Sequence, residues 1–244
     1  MPPDRAVLEE LATANRILFQ QGVVDGFGHV SMRHPDHPDH FLLARSMAPA
    51  MVTADDIMQF DPDSEPTDSD PRRPYLERFI HGEIYRIRPD VAAVVHSHSP
   101  SVVPFGIVPT VTLRPVFHMS GFLGQGAPVF EIRCCAGDSS DMLIRDRTLG
   151  AALAVSLGEH ATVLMRGHGS TVVGQTLRQA VFRAVYTEVN ARLQGDALRL
   201  GEPTYLSPGE AAASTQTNNG QLNRSWDMWA AQAASSPSSS IVKE

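Results

Sequence analysis

The stretch VAAVVHSHSP (91–100) does most to limit what this chain can fold into. An apolar run of strand length with no polar alternation is the mark of a central strand, covered on both faces. The run ends on His96 and His98. Residues i and i+2 of a strand project to the same side, so the two imidazoles leave the core together. They can converge on one cation at roughly 2.0–2.1 Å, the usual Zn–N distance. They can equally be two polar residues where a strand meets solvent. The H-x-H pair does not choose between these readings; a third ligand and an acid or base elsewhere in the chain would.

The rest of the chain supplies layers for such a strand. Residues 4–21 carry Val7, Leu8, Leu11, Ile17 and Leu18 on one helical face, with Asp4 as N-cap and Gly22 as stop. DGFGHVSMR (25–33) reads as a glycine-rich turn into a strand, HPDHPDH (34–40) as a loop, and FLLARS (41–46) as a strand. VTADDIMQFD (52–61) reads as a helical turn followed by a strand. A helix is predicted from Tyr75 to Arg86, burying Leu76, Phe79, Ile80, Ile84 and Ile87. Further strands are expected over 108–117, 127–134 and 161–170, and helices over 147–159 and 176–201. One or two short helices and a disordered Ser/Pro-rich tail are expected after that. No internal repeat or long linker divides the chain. The expectation is one domain over 1–206, with a C-terminal extension over 207–244.

Several function classes fall away on composition. A net charge of -7, with no Lys/Arg block, argues against a nucleic-acid partner. No apolar stretch approaches the ~20 residues that span a bilayer. The acidic N-terminus MPPDRAVLEE lacks a signal-peptide core, and the two cysteines, Cys134 and Cys135, are vicinal and form no disulfide framework. A cytoplasmic protein is expected.

His168 bears on the opening question. RGHGS sets it between two glycines after the apolar ATVLM, where the backbone can turn sharply towards a neighbouring strand end. Three such histidines make a His₃ site with an open position a candidate. On spacing alone, Glu77 is explained better by the helix dipole than by metal or proton chemistry. His118, in RPVFHMSGF, is a candidate acid or a strand-end histidine. His34, His37, His40 and His160 fall in polar loops and read as solvated; His81, one turn beyond Glu77, is a candidate supporting group.

GHVSMR, ERFIHGEIYRIRPDVAAVVHSHSP and LMRGHGS occur in this order, and over residues 5–205 they resemble the class II aldolase/adducin family, whose fold is that of fuculose-phosphate aldolase. The resemblance implies one three-layer α/β domain with a mainly antiparallel central sheet flanked by helices. It implies a homo-oligomer, usually a tetramer, and a divalent metal held by His96, His98 and His168. Glu77 then helps to ligate the metal and moves a proton, and His118 stands near the family's tyrosine proton donor. Zinc or manganese is expected first, with iron or cobalt as alternatives.

Departures from the family pattern narrow the substrate. Phosphosugar aldolases of this kind hold phosphate with a G-N-x-S turn, a T-P-S-G turn and a serine pair. This chain has GHVS, ARSMAP and YLE there. His29 replaces the asparagine, Ser31 remains, and Arg33, Arg45 and Arg78 lie in or beside the motifs. Arginine forks suit carboxylates, and Arg45 is the preferred pocket residue. Tyr205, Trp226 and Trp229 are candidates for completing a neighbour's site. YLERFIHGEIYR and RPVFHMSGFLG are similar to the family's decarboxylase branch, which acts on hydroxylated aromatic carboxylates or carboxy-muconate semialdehydes. The expected function is therefore a metal-dependent decarboxylase of a small-molecule carboxylate. A sugar or hydroxy-keto-acid aldolase, a non-haem iron oxygenase and a metal-free interaction module are the rivals.

Overall fold

The computed structural model describes residues 3–67 and 71–235. Seven strands form one sheet: β1 (His29–Arg33), β2 (Phe41–Ala44), β3 (Ile57–Phe60), β4 (Ala93–Ser97), β5 (Val129–Phe130), β6 (Thr162–Met165) and β7 (Gly169–Gly174). Their order is β3-β2-β1-β4-β7-β6-β5. The run at 91–99 therefore supplies the middle strand, and all five residues of β4 are buried. Each neighbouring pair is antiparallel except β5 and β6.

Helices cover both faces. They are α1 (Arg5–Gln20), α2 (Arg78–Ile87), α3 (Val103–Ile107), α4 (Arg133–Ala136), α5 (Arg147–Leu157), α6 (Leu177–Leu200), α7 (Pro208–Asn219) and α8 (Leu222–Ser235). Alternation along β1 sorts them. His29 and Ser31 point to the face covered by α2, which packs on α5; Val30 and Met32 point to the face of α1, α6 and α8. The outcome is the expected three-layer α/β domain. Asp4 caps α1 as expected, accepting from the Ala6 N–H at 3.0 Å, and Gly22, with φ +70°, follows the helix end.

Four expectations about elements are corrected. Residues 108–117 form no strand. Pro109 and Pro115 cannot donate to a ladder, and side-chain amides of α6 replace it. Asn190 bonds the Val116 N–H and the Arg114 carbonyl; Gln194 bonds the Arg114 N–H and the Thr112 carbonyl, all at 2.8–3.0 Å. The strand over 127–134 shrinks to Val129–Phe130 before turning into α4. The strand over 161–170 is two strands, and β7 runs on to Gly174. The helix expected from Tyr75 begins at Arg78, so Leu76 lies outside it at 43% exposure, and Ile87 at its end is 46% exposed.

The C-terminal segment packs on its own chain. Trp226 and Trp229 are buried in the main core, Trp229 with its ring 6.1 Å from that of Tyr186. An indole removes roughly 200 Å² from water, about 5 kcal/mol at ~25 cal/mol/Å². That burial removes both tryptophans as candidates for a neighbour's site. The tail expected to be disordered lies, from residue 236, outside the described residues.

Candidate metal centre

Strand pairing decides which side chains meet at one end of the sheet. β4 ends where β1 and β7 begin, so His96 stands opposite His29 on one side and Thr171 on the other. His98 follows the strand end and His168 precedes β7; their Nε2 atoms are 3.0 Å apart. The glycines beside His168 act differently. Gly167 takes φ +66°, and a Cβ on Gly169 would lie 2.0 Å from the Ser97 carbonyl oxygen. Glycine at 169 is what lets β7 run this close to β4.

Glu77 sits at the N-cap position of α2, yet its side chain caps nothing. Oε1 accepts from the Ile144 N–H at 3.0 Å, while Oε2 lies 3.5 Å from His96 Nε2 and 3.6 Å from His168 Nε2. The carboxylate is aimed at the histidines rather than at the helix dipole.

The four side chains fit a divalent cation. A tetrahedral site with ligands at about 2.0–2.1 Å has donor–donor edges of roughly 3.3–3.4 Å. Four of the six Nε2 and Oε2 separations here are 3.0–3.6 Å, and all the donor atoms lie within 4.8 Å of one another. Opposite ring nitrogens are anchored: His96 Nδ1 lies 3.1 Å from the Ser170 carbonyl and His168 Nδ1 3.0 Å from that of Met142. Those carbonyls hold the proton on Nδ1, which leaves the Nε2 lone pairs of both rings facing inwards. Converging lone pairs repel unless a cation lies between them.

Electrostatics favours the protonation states that ligands need. Burial, reinforced by His96, pushes the His168 imidazole down to about 4 and His81 down to about 3. Burial and the His81 ring push His29 well down. Burial alone raises Glu77, but His96, His168 and the Ile144 amide outweigh it and hold the carboxyl at about 2. At neutral pH the imidazoles of His29, His81 and His168 are uncharged and Glu77 is ionised.

Both shifts act on stability in the same direction. A histidine depressed in the folded state takes up its proton more readily unfolded, so stability falls as pH drops below the ordinary 6.5 towards the folded value. The contribution of Glu77, present above the ordinary carboxylate value of 4.5, is lost as pH falls towards 2. The thermal midpoint of chelator-treated protein should therefore fall between pH 6.5 and 4, each such histidine contributing up to about 1.4 kcal/mol per pH unit. Calorimetry over that range checks it; a flat midpoint would show that these imidazoles do not titrate as described.

A cavity of about 390 Å³ opens beside the cluster, bordered by Glu77 and His98 together with His29, Phe27, Met47, Arg73, Tyr75, Leu76 and Leu143. Its size lies in the range of small-molecule sites, roughly 300–1,000 Å³. His29 is thus brought to the cluster, its ring 5.1 Å from that of His96.

The other expected site residues lie elsewhere. Ser31 is fully buried against His81 and Tyr85 and does not border the cavity. Arg45 is held by Asp56, Nε to Oδ1 at 2.7 Å, because the short helical turn before β3 presents that carboxylate. Arg33 bonds the carbonyls of Tyr85, Arg88 and Val91, and Arg78 bonds Ser64 and Glu65. Tyr205 packs under Arg114 and bonds Gln194. His118 is exposed on a 3-10 turn held against α7, its carbonyl accepting from Asn218, and does not border the cavity of its own chain. His34 is buried rather than solvated, since its Nδ1 accepts from the N–H groups of Asp36 and His37.

Arg73 was not among the expected residues. Among the described residues it is the one arginine or lysine bordering the cavity, and it forms no ion pair. Its only sequence signal is its place four residues before Glu77, in a loop whose path sequence does not reveal. Phe27, in the glycine-rich turn before β1, borders the cavity too, with its ring 6.3 Å from that of His98.

Comparisons with known proteins agree with this geometry. Residues 9–195 match the family described as Class II Aldolase and Adducin N-terminal domain. Decarboxylase tropJ of Talaromyces stipitatus is 36% identical, covering 87% of this chain and 88% of its own. The 3,4-dihydroxyphthalate decarboxylase of Arthrobacter keyseri is 32% identical, covering 88% of each. The solved L-fuculose 1-phosphate aldolase from Glaciozyma antarctica PI12 superposes with a TM-score of 0.76 at 22% identity, covering 96% of this chain and 95% of that one. The match spans every residue of the His/Glu cluster, and this chain belongs to the class II aldolase/adducin family.

Proposed function

We propose that this protein is a divalent-metal-dependent decarboxylase of hydroxylated aromatic carboxylates. One observation carries the reading: Arg73, with no ion-pair partner among the described residues, borders the same cavity as the His/Glu cluster. The guanidinium that this residue carries is suited to a carboxylate. The walls of Phe27, Met47, Tyr75, Leu76 and Leu143 suit a planar ring better than a polyol. Two relatives are named as decarboxylases, and the name of one gives a dihydroxylated aromatic dicarboxylate as its substrate. That class is carried over to this chain, with carboxy-muconate semialdehydes as its non-aromatic counterpart.

His96, His98, His168 and Glu77 would hold the cation, zinc or manganese first. When bound, it supplies Lewis acidity that stabilises the electron pair left behind when a carbon–carbon bond breaks. The remaining work falls to side chains. Arg73 holds one substrate carboxylate at the rim, and His29 contacts an anionic oxygen deeper in. Glu77, ionised at neutral pH, takes the proton of the substrate hydroxyl and returns it to the ring carbon once carbon dioxide has left. The phenolate product then takes a proton from water. In this reading the chain works as a cytoplasmic homotetramer, and His118, away from its own cavity, serves a neighbour's.

Carbon dioxide release from a panel of ortho-hydroxy aromatic carboxylates by Mn(II)-reconstituted protein tests the proposal. Release from at least one member, abolished by chelator, is expected. Silence across the panel, with cleavage of a phosphosugar instead, would move the chain to the aldolase branch.

A further inference from the structure

Behind the metal cluster, the same face of the sheet carries a line of polar groups cut off from solvent. His29 Nδ1 lies 2.7 Å from His81 Nε2, and His81 Nδ1 lies 2.6 Å from Ser31 Oγ. Ser31 Oγ lies 2.7 Å from Tyr85 Oη. All four residues are buried, Ser31 and His81 completely. The line follows from two spacings. His29 and Ser31 share a face of β1, and His81 and Tyr85 share a face of α2 at i and i+4. One end borders the cavity at His29; the other stops at the Tyr85 phenol beneath the Arg33 guanidinium, 4.8 Å from the ring centroid.

The hydrogen bonds can run in either of two directions. With the protons directed inwards, His29 donates to His81, His81 to Ser31 and Ser31 to Tyr85. The Tyr85 hydroxyl proton then has no acceptor among the described residues. With the protons directed outwards, Tyr85 donates to Ser31, Ser31 to His81 Nδ1, and His81 Nε2–H to His29 Nδ1. Every proton within the line is then accepted, and the one left over, on His29, lies at the end that borders the cavity, where water or substrate can take it. A buried donor without an acceptor is costly, whereas a fully satisfied line is not. The outward direction holds, and it places the proton of His29 on Nε2, the ring nitrogen left without a protein partner among the described residues.

The line is not a route for protons. Drawing one out of it would leave a phenolate at Tyr85, where burial pushes the phenol well above its ordinary range. What the line can do is hold a tautomer and a ring angle.

We infer that Ser31, His81 and Tyr85 are positioning residues that lock His29 as its neutral Nε2–H tautomer, so that the cavity offers a fixed hydrogen-bond donor to an anionic substrate oxygen. This rests on the decarboxylase reading for the identity of that oxygen as carboxylate or phenolate. A locked donor favours such an oxygen over a hydroxyl proton seeking an acceptor, and it needs no change of charge next to the metal ligands. Ser31 therefore contributes to substrate binding through His29, without touching the substrate.

Two-bond nitrogen–proton correlation on ¹⁵N-histidine-labelled, zinc-loaded protein reads the tautomer directly, with His29→Asn identifying the resonances. The Nε2–H pattern is expected at His29 in the wild type. Tyr85→Phe keeps the ring packed on Phe41 and removes only the terminal donor; Ser31→Ala breaks the middle link. Both should shift His29 to a mixed or Nδ1–H pattern. Both should also raise KM by about 2- to 12-fold, the worth of one hydrogen bond, with a smaller change in kcat. An Nδ1–H pattern in the wild type, or an unchanged pattern in both variants, would overturn the inference. The tautomer is read without substrate, so this failure is distinct from a failure to release carbon dioxide.

Discussion

His96→Ala is expected to strip the protein of its divalent cation and to lower turnover by about 10³-fold or more. The imidazole is completely buried, its Nε2 sits between His98 and Glu77, and its Nδ1 is fixed by the Ser170 carbonyl. Alanine removes one of four donors, and water cannot replace it from solvent at a fully buried position. Lewis-acid stabilisation is worth several kcal/mol, and each 1.36 kcal/mol is tenfold in rate, which gives the figure of about 10³. Metal content by elemental analysis and turnover by carbon dioxide release should fall together. Full metal content with full turnover would mean that these histidines are not ligands.

Arg73→Met is expected to raise KM for a carboxylate substrate about 10- to 100-fold, the worth of a charge-assisted hydrogen bond of roughly 1.5–3 kcal/mol. Methionine keeps the length and loses the fork. Arg45→Met is the informative partner. Arg45 is committed to Asp56 with a side chain 40% exposed, so its removal should leave KM unchanged and cost at most about 1 kcal/mol of stability. Steady-state kinetics on both variants checks the pair. A large KM effect from Arg45 with none from Arg73 would reverse the assignment of the carboxylate-binding arginine.

Why one arginine was legible and the other was not shows where sequence reasoning stops. Arg45 lies inside a motif and so drew attention, but its partner Asp56 is eleven residues on, presented by a turn whose exact placement spacing does not give. Arg73 sits in a loop and reaches the cavity only because that loop crosses the end of the sheet; its backbone carbonyl is fixed there by the Ser46 N–H. The central strand, by contrast, was plain from its apolar run, and antiparallel pairing then had to bring its end next to the start of β7. The three histidines of the His/Glu cluster were therefore readable from two short motifs, whereas Glu77 joined them only through the family resemblance.

Strands with conflicting signals were misread for identifiable reasons. Residues 108–117 have β-branched residues at strand spacing, and nothing in that stretch shows that Asn190 and Gln194 of α6 take up its backbone groups. β7 begins and ends on glycine, which reads as a turn, although Gly169 is there for close approach to Ser97. The line from His29 to Tyr85 did have a signal: a strand pair at i, i+2 and a helix pair at i, i+4, all four able to hydrogen-bond. Only the register between β1 and α2 was missing.

A mass balance under anaerobic conditions in deuterium oxide tests metal-dependent decarboxylation most directly. One carbon dioxide should appear per substrate consumed, with one deuteron on the ring carbon that lost its carboxylate and no requirement for oxygen. Loss of the reaction on chelation and its return with Mn(II) should follow. Cleavage into two carbonyl-bearing fragments without carbon dioxide, or turnover only when oxygen is consumed, would contradict it.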